Sequence, residues 1–188
     1  MIPVSMDRHF TRGHARGLEA EEGDGDPQAK VDAVFEQFGE PHPPVAIIVA
    51  SREEFTLAES AASELTSRGI DHRIHELNPT RSYETLDSFL ETAGLRGIRV
   101  IIATAGVVAW LPSMIATRTD LPVIGVPMQS SAIGGLDTLL ATVQSPPGIP
   151  VAAMGIGNIR NAAIFAARIL AAMPYEPRDD RDAEVNEG

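Results

Sequence analysis

Residues 100–127 read VIIATAGVVAWLPSMIATRTDLPVIGVP, and the two apolar ends of this stretch constrain the fold more than any other feature. Runs 100–103 and 122–126 are short and rich in β-branched residues, without the alternation of a half-exposed strand. Strands buried on both faces look like this, and they belong to parallel sheets covered by helices. The intervening TAGVVAWLPSM supplies a small-residue turn that opens a helix of roughly ten residues. The turn then lies at the carboxyl end of a strand, where open parallel sheets bind their ligands.

The same unit repeats along the chain. Strands are expected over 45–50, 72–77, 98–103, 122–126 and near 150–154. Helices are expected over about 53–68, 82–95, 107–117, 135–143 and 158–173. Leu57, Ala61 and Leu65 face inward on the first helix, and Gly69 ends it. Strict alternation of this kind predicts an α/β fold. The expected form is a three-layer, doubly wound parallel sheet of five strands in the flavodoxin-like order 2-1-3-4-5.

Outside this domain, placed at 44–173, the chain changes character. Residues 1–25 are polar and without period, as a disordered segment is. Asp26-Pro27 then caps a helix over about 27–39, with Val31, Val34, Phe35 and Phe38 on one stripe. Too short to persist alone, that helix is expected to pack on the domain or on a neighbouring subunit. Residues 1–43 thus form an acidic N-terminal arm, and 174–188 an acidic disordered tail.

Charge follows the same division. The formal net charge is −11, yet residues 44–173 hold eleven acids against nine bases. Nine of the eleven excess charges sit in the arm and tail, and no basic face is available for nucleic acid. The chain has no cysteine, which excludes disulfides and thiolate chemistry. No apolar run reaches the roughly 18 residues of a membrane span, and the start has no signal-like apolar core. A cytoplasmic protein without membrane contact is the expectation.

Four strand ends should converge on one rim: 50–54 (ASREE), 78–82 (NPTRS), 104–106 (TAG) and 127–130 (PMQS). Backbone N–H groups at helix starts, the hydroxyls of Ser51 and Ser130, and the forked cation of Arg81 would together cradle a phosphate or carboxylate. Each has a plainer reading, Arg81 as an ion-paired surface residue and Ser51 as a helix cap. GIGNIR (155–160) lacks the third small residue of a dinucleotide turn. His9, His14, His42, His72 and His75 lie in the arm, the linker and strand two, with no metal-like pairing. No metal and no cofactor is expected.

The rim motifs resemble those of the PurE family, the mutases and carboxylases of aminoimidazole ribonucleotide in purine synthesis. The likeness runs over about 45–173. It is closest in GVPMQSSAIGGLDTLLATVQSPPGIPV (125–151) and continues through IIATAGVVAWLPSMIA (101–116). The resemblance implies a ribonucleotide monophosphate ligand, with its phosphate against the first two loops and its imidazole ring inside the third and fourth. It also implies a homo-oligomer, an octamer in the family. Carried over, Ser51 takes the place of the serine in the family's G-S-x-S-D loop, and Glu54 that of its ribose-binding aspartate. Arg81 is the phosphate arginine of S-A-H-R. Ala105 and Gly106 keep the middle of G-A-G-G, and Gln129 and Ser130 keep the end of P-V-Q-S.

Departures concentrate at the same rim. The family's general acid/base histidine falls on Thr80, whose hydroxyl has no proton to exchange near neutral pH. Its second histidine falls on Trp110, a bulkier ring that only donates. Glu53 replaces a serine; at roughly 4 Å and an effective dielectric near 20 its charge would oppose a phosphate by about 4 kcal/mol per unit charge before screening. Val107 fills space that a glycine leaves open. The expected function is therefore a PurE-like protein that binds a ribonucleotide phosphate or similar anion but does not run the standard carboxylate shift. It is either an enzyme for another substrate, with Glu53 or Glu54 as acid/base, or a silent binding subunit. The alternatives are an active AIR carboxylase or mutase with a rearranged proton donor, and a non-catalytic assembly subunit.

Overall fold

Five parallel strands form one sheet in the order β2-β1-β3-β4-β5. They are β1 (Val45–Val49), β2 (His72–Glu76), β3 (Val100–Ala105), β4 (Val123–Pro127) and β5 (Ala152–Ala153). Between them run α1 (Phe55–Ser67), α2 (Tyr83–Ala93), α3 (Leu111–Ala116) and α4 (Leu136–Val143), and α5 (Ile159–Ala172) closes the domain. A single 3-10 turn, Arg52–Glu54, precedes α1. This is a computed structural model, and it describes residues 42–129 and 133–173. The arm, its expected helix over 27–39, the tail and Ser130 lie outside the described residues.

Strands β1, β3 and β4 are buried along their whole length, which is why their sequences run apolar without alternation. Side chains still alternate between two cores. Val45, Ile47 and Val49 pack with Val100 and Ile102 under Ala61 and Leu65 of α1 and Ala162 and Ala166 of α5. Ala46, Ile48 and Ala50 pack with Ile101 and Ala103 under Leu86 and Leu90 of α2 and Leu111 and Ile115 of α3. Gly125 keeps β4 close to its cover: a Cβ there would lie 2.5 Å from Thr142 Cγ2 and 2.9 Å from Val151 Cγ1. The three-layer expectation and its strand order hold.

Element ends differ in three informative places. Strand β3 runs on through Thr104 and Ala105, which pair with Val126 and Pro127 of β4; the turn expected from 104 begins at Gly106. Helix α3 starts at Leu111, not near 107, because Pro112 suits only a helix's first turn. Strand β5 shrinks to two residues, paired with Ile124 and Gly125. Gly69 ends α1 with a positive φ of 68°, as expected.

One carboxylate fastens the helices on the α1 face. Buried Glu64 accepts from Arg160 Nε at 2.6 Å and Arg68 Nη2 at 2.7 Å. These bonds, Arg160 first, hold its carboxyl below the usual range. Among the described residues, no helix is long and apolar enough to cross a membrane.

Candidate functional site

The four strand-end loops are knotted to one another in sequence. Leu77 N–H donates to Val49 O and Asn78 Nδ2 to Ala50 O, both at 2.9 Å, so the second loop hangs on the first. Met128 N–H donates to Ala105 O at 2.9 Å, tying the fourth to the third. The first and third are joined by Glu54, whose side chain turns inward and is 4% exposed.

Glu54 Oε2 accepts from Ala50 N–H at 2.9 Å and from Thr104 Oγ1 at 2.6 Å, and Oε1 accepts from Val107 N–H at 3.1 Å. A buried carboxylate is tolerable only with such a set of donors, and here both oxygens are engaged within the chain. Gly106 is small for the same reason. A Cβ there would collide with Glu54 Oε1 and lie 3.1 Å from Met128 Cγ.

Arg81 lies in a separate group. It lines a cleft of about 200 Å³ with Glu76, Asn78, Ser82 and Thr85, at the end of β2. Glu76 draws in two guanidinium groups, Arg81 Nη1 and Arg52 Nε, each at 3.5 Å. Ser82 Oγ accepts from Thr85 N–H at 3.3 Å and so caps α2. Of the predicted site residues this cleft is lined by Arg81, and not by Ser51, Glu54, Ala105, Gly106 or Gln129.

Ser51 is extended, and its side chain makes no cap bond to the turn that follows. Its Oγ is buried without a hydrogen-bond partner among the described residues. Gln129 is exposed on the fourth loop. Thr80 is exposed too, with its N–H and hydroxyl both donating to Asn78 Oδ1, at 2.9 and 2.7 Å. Trp110 stands just before α3, 49% exposed, and Val107 beside it on the third loop is 67% exposed. Glu53 is exposed on the first loop.

The described histidines sit away from these loops. His72 opens β2, its Nδ1 3.0 Å from Ile70 O. His42 and His75 pack edge to face at 5.3 Å, and Phe89 lies 4.6 Å from His75. Burial of His75, with His42, Arg73 and Arg96 nearby, lowers its pKa to about 4. His42 is lowered by burial and by Arg96 and Arg73.

The sequence places Arg52, Asn78 and Thr104 in the rim loops without marking a role for any of them, and leaves Glu76 unmarked. Thr104 carried one signal, as the lone hydroxyl in the apolar run VIIATA. Glu76 carried none, since its neighbours come from two other loops.

Comparison with known proteins agrees with this architecture. Residues 44–182 match the family model described as AIR carboxylase. An N5-carboxyaminoimidazole ribonucleotide mutase from Pyrococcus abyssi is 45% identical over 128 residues, 68% of this chain and 74% of that protein. One from Saccharolobus solfataricus is 41% identical over 145 residues, 77% of this chain and 91% of its own length. A PurE2 variant from Treponema denticola has a solved structure similar to this one, with a TM-score of 0.60 and 25% identity. That match covers 69% of this chain and 80% of the other.

Proposed function

The chain belongs to the AIR carboxylase family, and from that premise we propose that it binds a ribonucleotide phosphate or similar anion at its strand-end rim without catalysing the standard carboxylate shift. The observation that carries this reading is the pair of positions where the family motif has histidine. Thr80 spends its hydroxyl on Asn78, and Trp110 offers an indole. Neither exchanges a proton near neutral pH. The three described histidines are bound up in or beside β2, and Glu54 gives both oxygens to the fold. What remains for a ligand is Arg81 in its cleft and the exposed third and fourth loops.

The test is turnover of N5-carboxyaminoimidazole ribonucleotide, measured beside calorimetric binding of the same nucleotide. Binding without conversion is the expected result, and turnover at the rate of an ordinary mutase overturns the proposal. Installing both histidines, Thr80→His with Trp110→His, should restore measurable conversion.

One observation favours a second reading, in which the chain is an active mutase or carboxylase with another acid/base. Its relatives named as mutases are 41% and 45% identical, and Glu53 stands exposed on the first loop. Loss of turnover in Glu53→Gln, with binding kept, would support that reading.

We further propose a cytoplasmic homo-oligomer, an octamer as the family resemblance implies. Exposed Ile133, Leu136, Leu140 and Val143 on and before α4 support this, since an apolar strip of that kind is normally covered.

A further inference from the structure

The chain enters the domain at His42, on the amino-terminal side of the sheet and away from the strand-end rim. The His42 N–H donates to Arg96 O at 2.7 Å, and a Cβ on Gly97 would stand 3.0 Å from the His42 carbonyl oxygen. Its ring packs edge to face on His75 at 5.3 Å and on Phe89 at 5.6 Å, and so bridges the edge strand β2 and α2. Both ring nitrogens of His42, and Nε2 of His75, are buried without a hydrogen-bond partner among the described residues. Besides the two rings themselves, the charged groups acting on them are Arg73 of β2 and Arg96 after α2, while α2 presents the ring of Phe89.

Imidazoles placed like this are comfortable only when neutral. A proton on either ring would lie in a buried, positive setting with no acceptor to receive it. Charging therefore drives a ring toward water. His75 is held in β2 by its pairing with Ile48, whereas His42 lies outside the sheet. The next firm tie along the chain is Pro44, whose carbonyl accepts from the N–H groups of Arg99 and Val100 at 2.8 and 3.1 Å.

We infer that His42 is an acid-released latch: neutral, it pins the chain that precedes it to the edge of the domain, and protonation of the His42–His75 pair frees that chain while the sheet stays folded. What is released is acidic, since residues 1–41 hold nine acids against four bases. Burial, with Arg96 and Arg73 nearby, lowers the pKa of both rings from the ordinary 6.5, that of His75 to about 4. The latch is thus closed above pH 6.5 and loosens as pH falls toward 4. It is independent of any ligand at the rim.

Hydrogen exchange of the full chain, read by NMR as protection relative to the intrinsic rate at pH 7.5 and pH 5, tests this. Protection of the His42 N–H should fall about tenfold on acidification. Ile47, in the middle of β1, should stay much better protected at both pH values. The double variant His42→Phe with His75→Phe should hold the change at residue 42 under about twofold. Each single variant should retain part of it, so the trend is readable even if the double variant does not fold. Unchanged His42 protection in the wild type, or an equal loss in the variants, overturns the inference. So does a fall of His42 and Ile47 to a common value, because acid then unfolds the whole domain.

Discussion

Thr104 Oγ1 donates to Glu54 Oε2 at 2.6 Å across fifty positions of sequence, joining the end of β3 to the turn that follows β1. Both groups are buried, so neither can exchange this bond for water. Thr104→Val should therefore cost about 1–3 kcal/mol, the penalty of leaving a buried acceptor one donor short. Chemical denaturation should show a lower midpoint with an unchanged slope.

Gly106 and Gly125 should both resist enlargement, for different reasons. Gly106→Ala forces the Glu54 carboxylate and Met128 aside, which loosens the third loop. Gly125→Ala drives a methyl into Thr142, Val151 and Pro112 between sheet and helix, with only side chains to give way. A loss of about 1–3 kcal/mol is expected at each. Nucleotide binding should fall with the first substitution beyond what stability explains, because only Gly106 borders the rim.

The His42–His75–Phe89 cluster makes stability depend on pH. The His75 pKa is lowered to about 4 in the fold from an ordinary 6.5, so the unfolded chain binds the proton more readily. Stability from this ring is complete above pH 6.5 and is lost as pH falls from 6.5 toward 4. The full difference amounts to about 3 kcal/mol, which partial solvent access reduces to about 1–2. His75→Phe should flatten the midpoint against pH over that interval, while His42 leaves a smaller residual slope of the same sign.

The apolar strip on α4 predicts a substitution that changes assembly without unfolding the protomer. Leu140 is 45% exposed and outside both cores. Leu140→Arg should leave the melting of the isolated protomer within about 0.5 kcal/mol, as surface changes do. Light scattering should show a smaller particle than wild type.

Most of the scaffold was legible because buried parallel strands write themselves as short apolar runs. VAIIV at 45–49 and VIIA at 100–103 could hardly be read otherwise. The late start of α3 was also legible in hindsight, in the proline of WLPSM. The site was harder. Glu54 looks like a ligand-facing acid by position, and only the fold brings Thr104 and Val107 N–H to meet it. Glu76 looks like any strand-end charge until Arg52 and Arg81 are placed on either side. Such groupings depend on register between distant loops, which no local pattern encodes.

Trp110 has one more consequence. It is the chain's single indole, and it stands half out of the third loop. Each chain thus carries one indole fluorophore, mounted on the rim rather than in the interior. A ligand or neighbour that shields the third loop should move its emission toward the blue, so occupancy can be followed optically without attaching a dye.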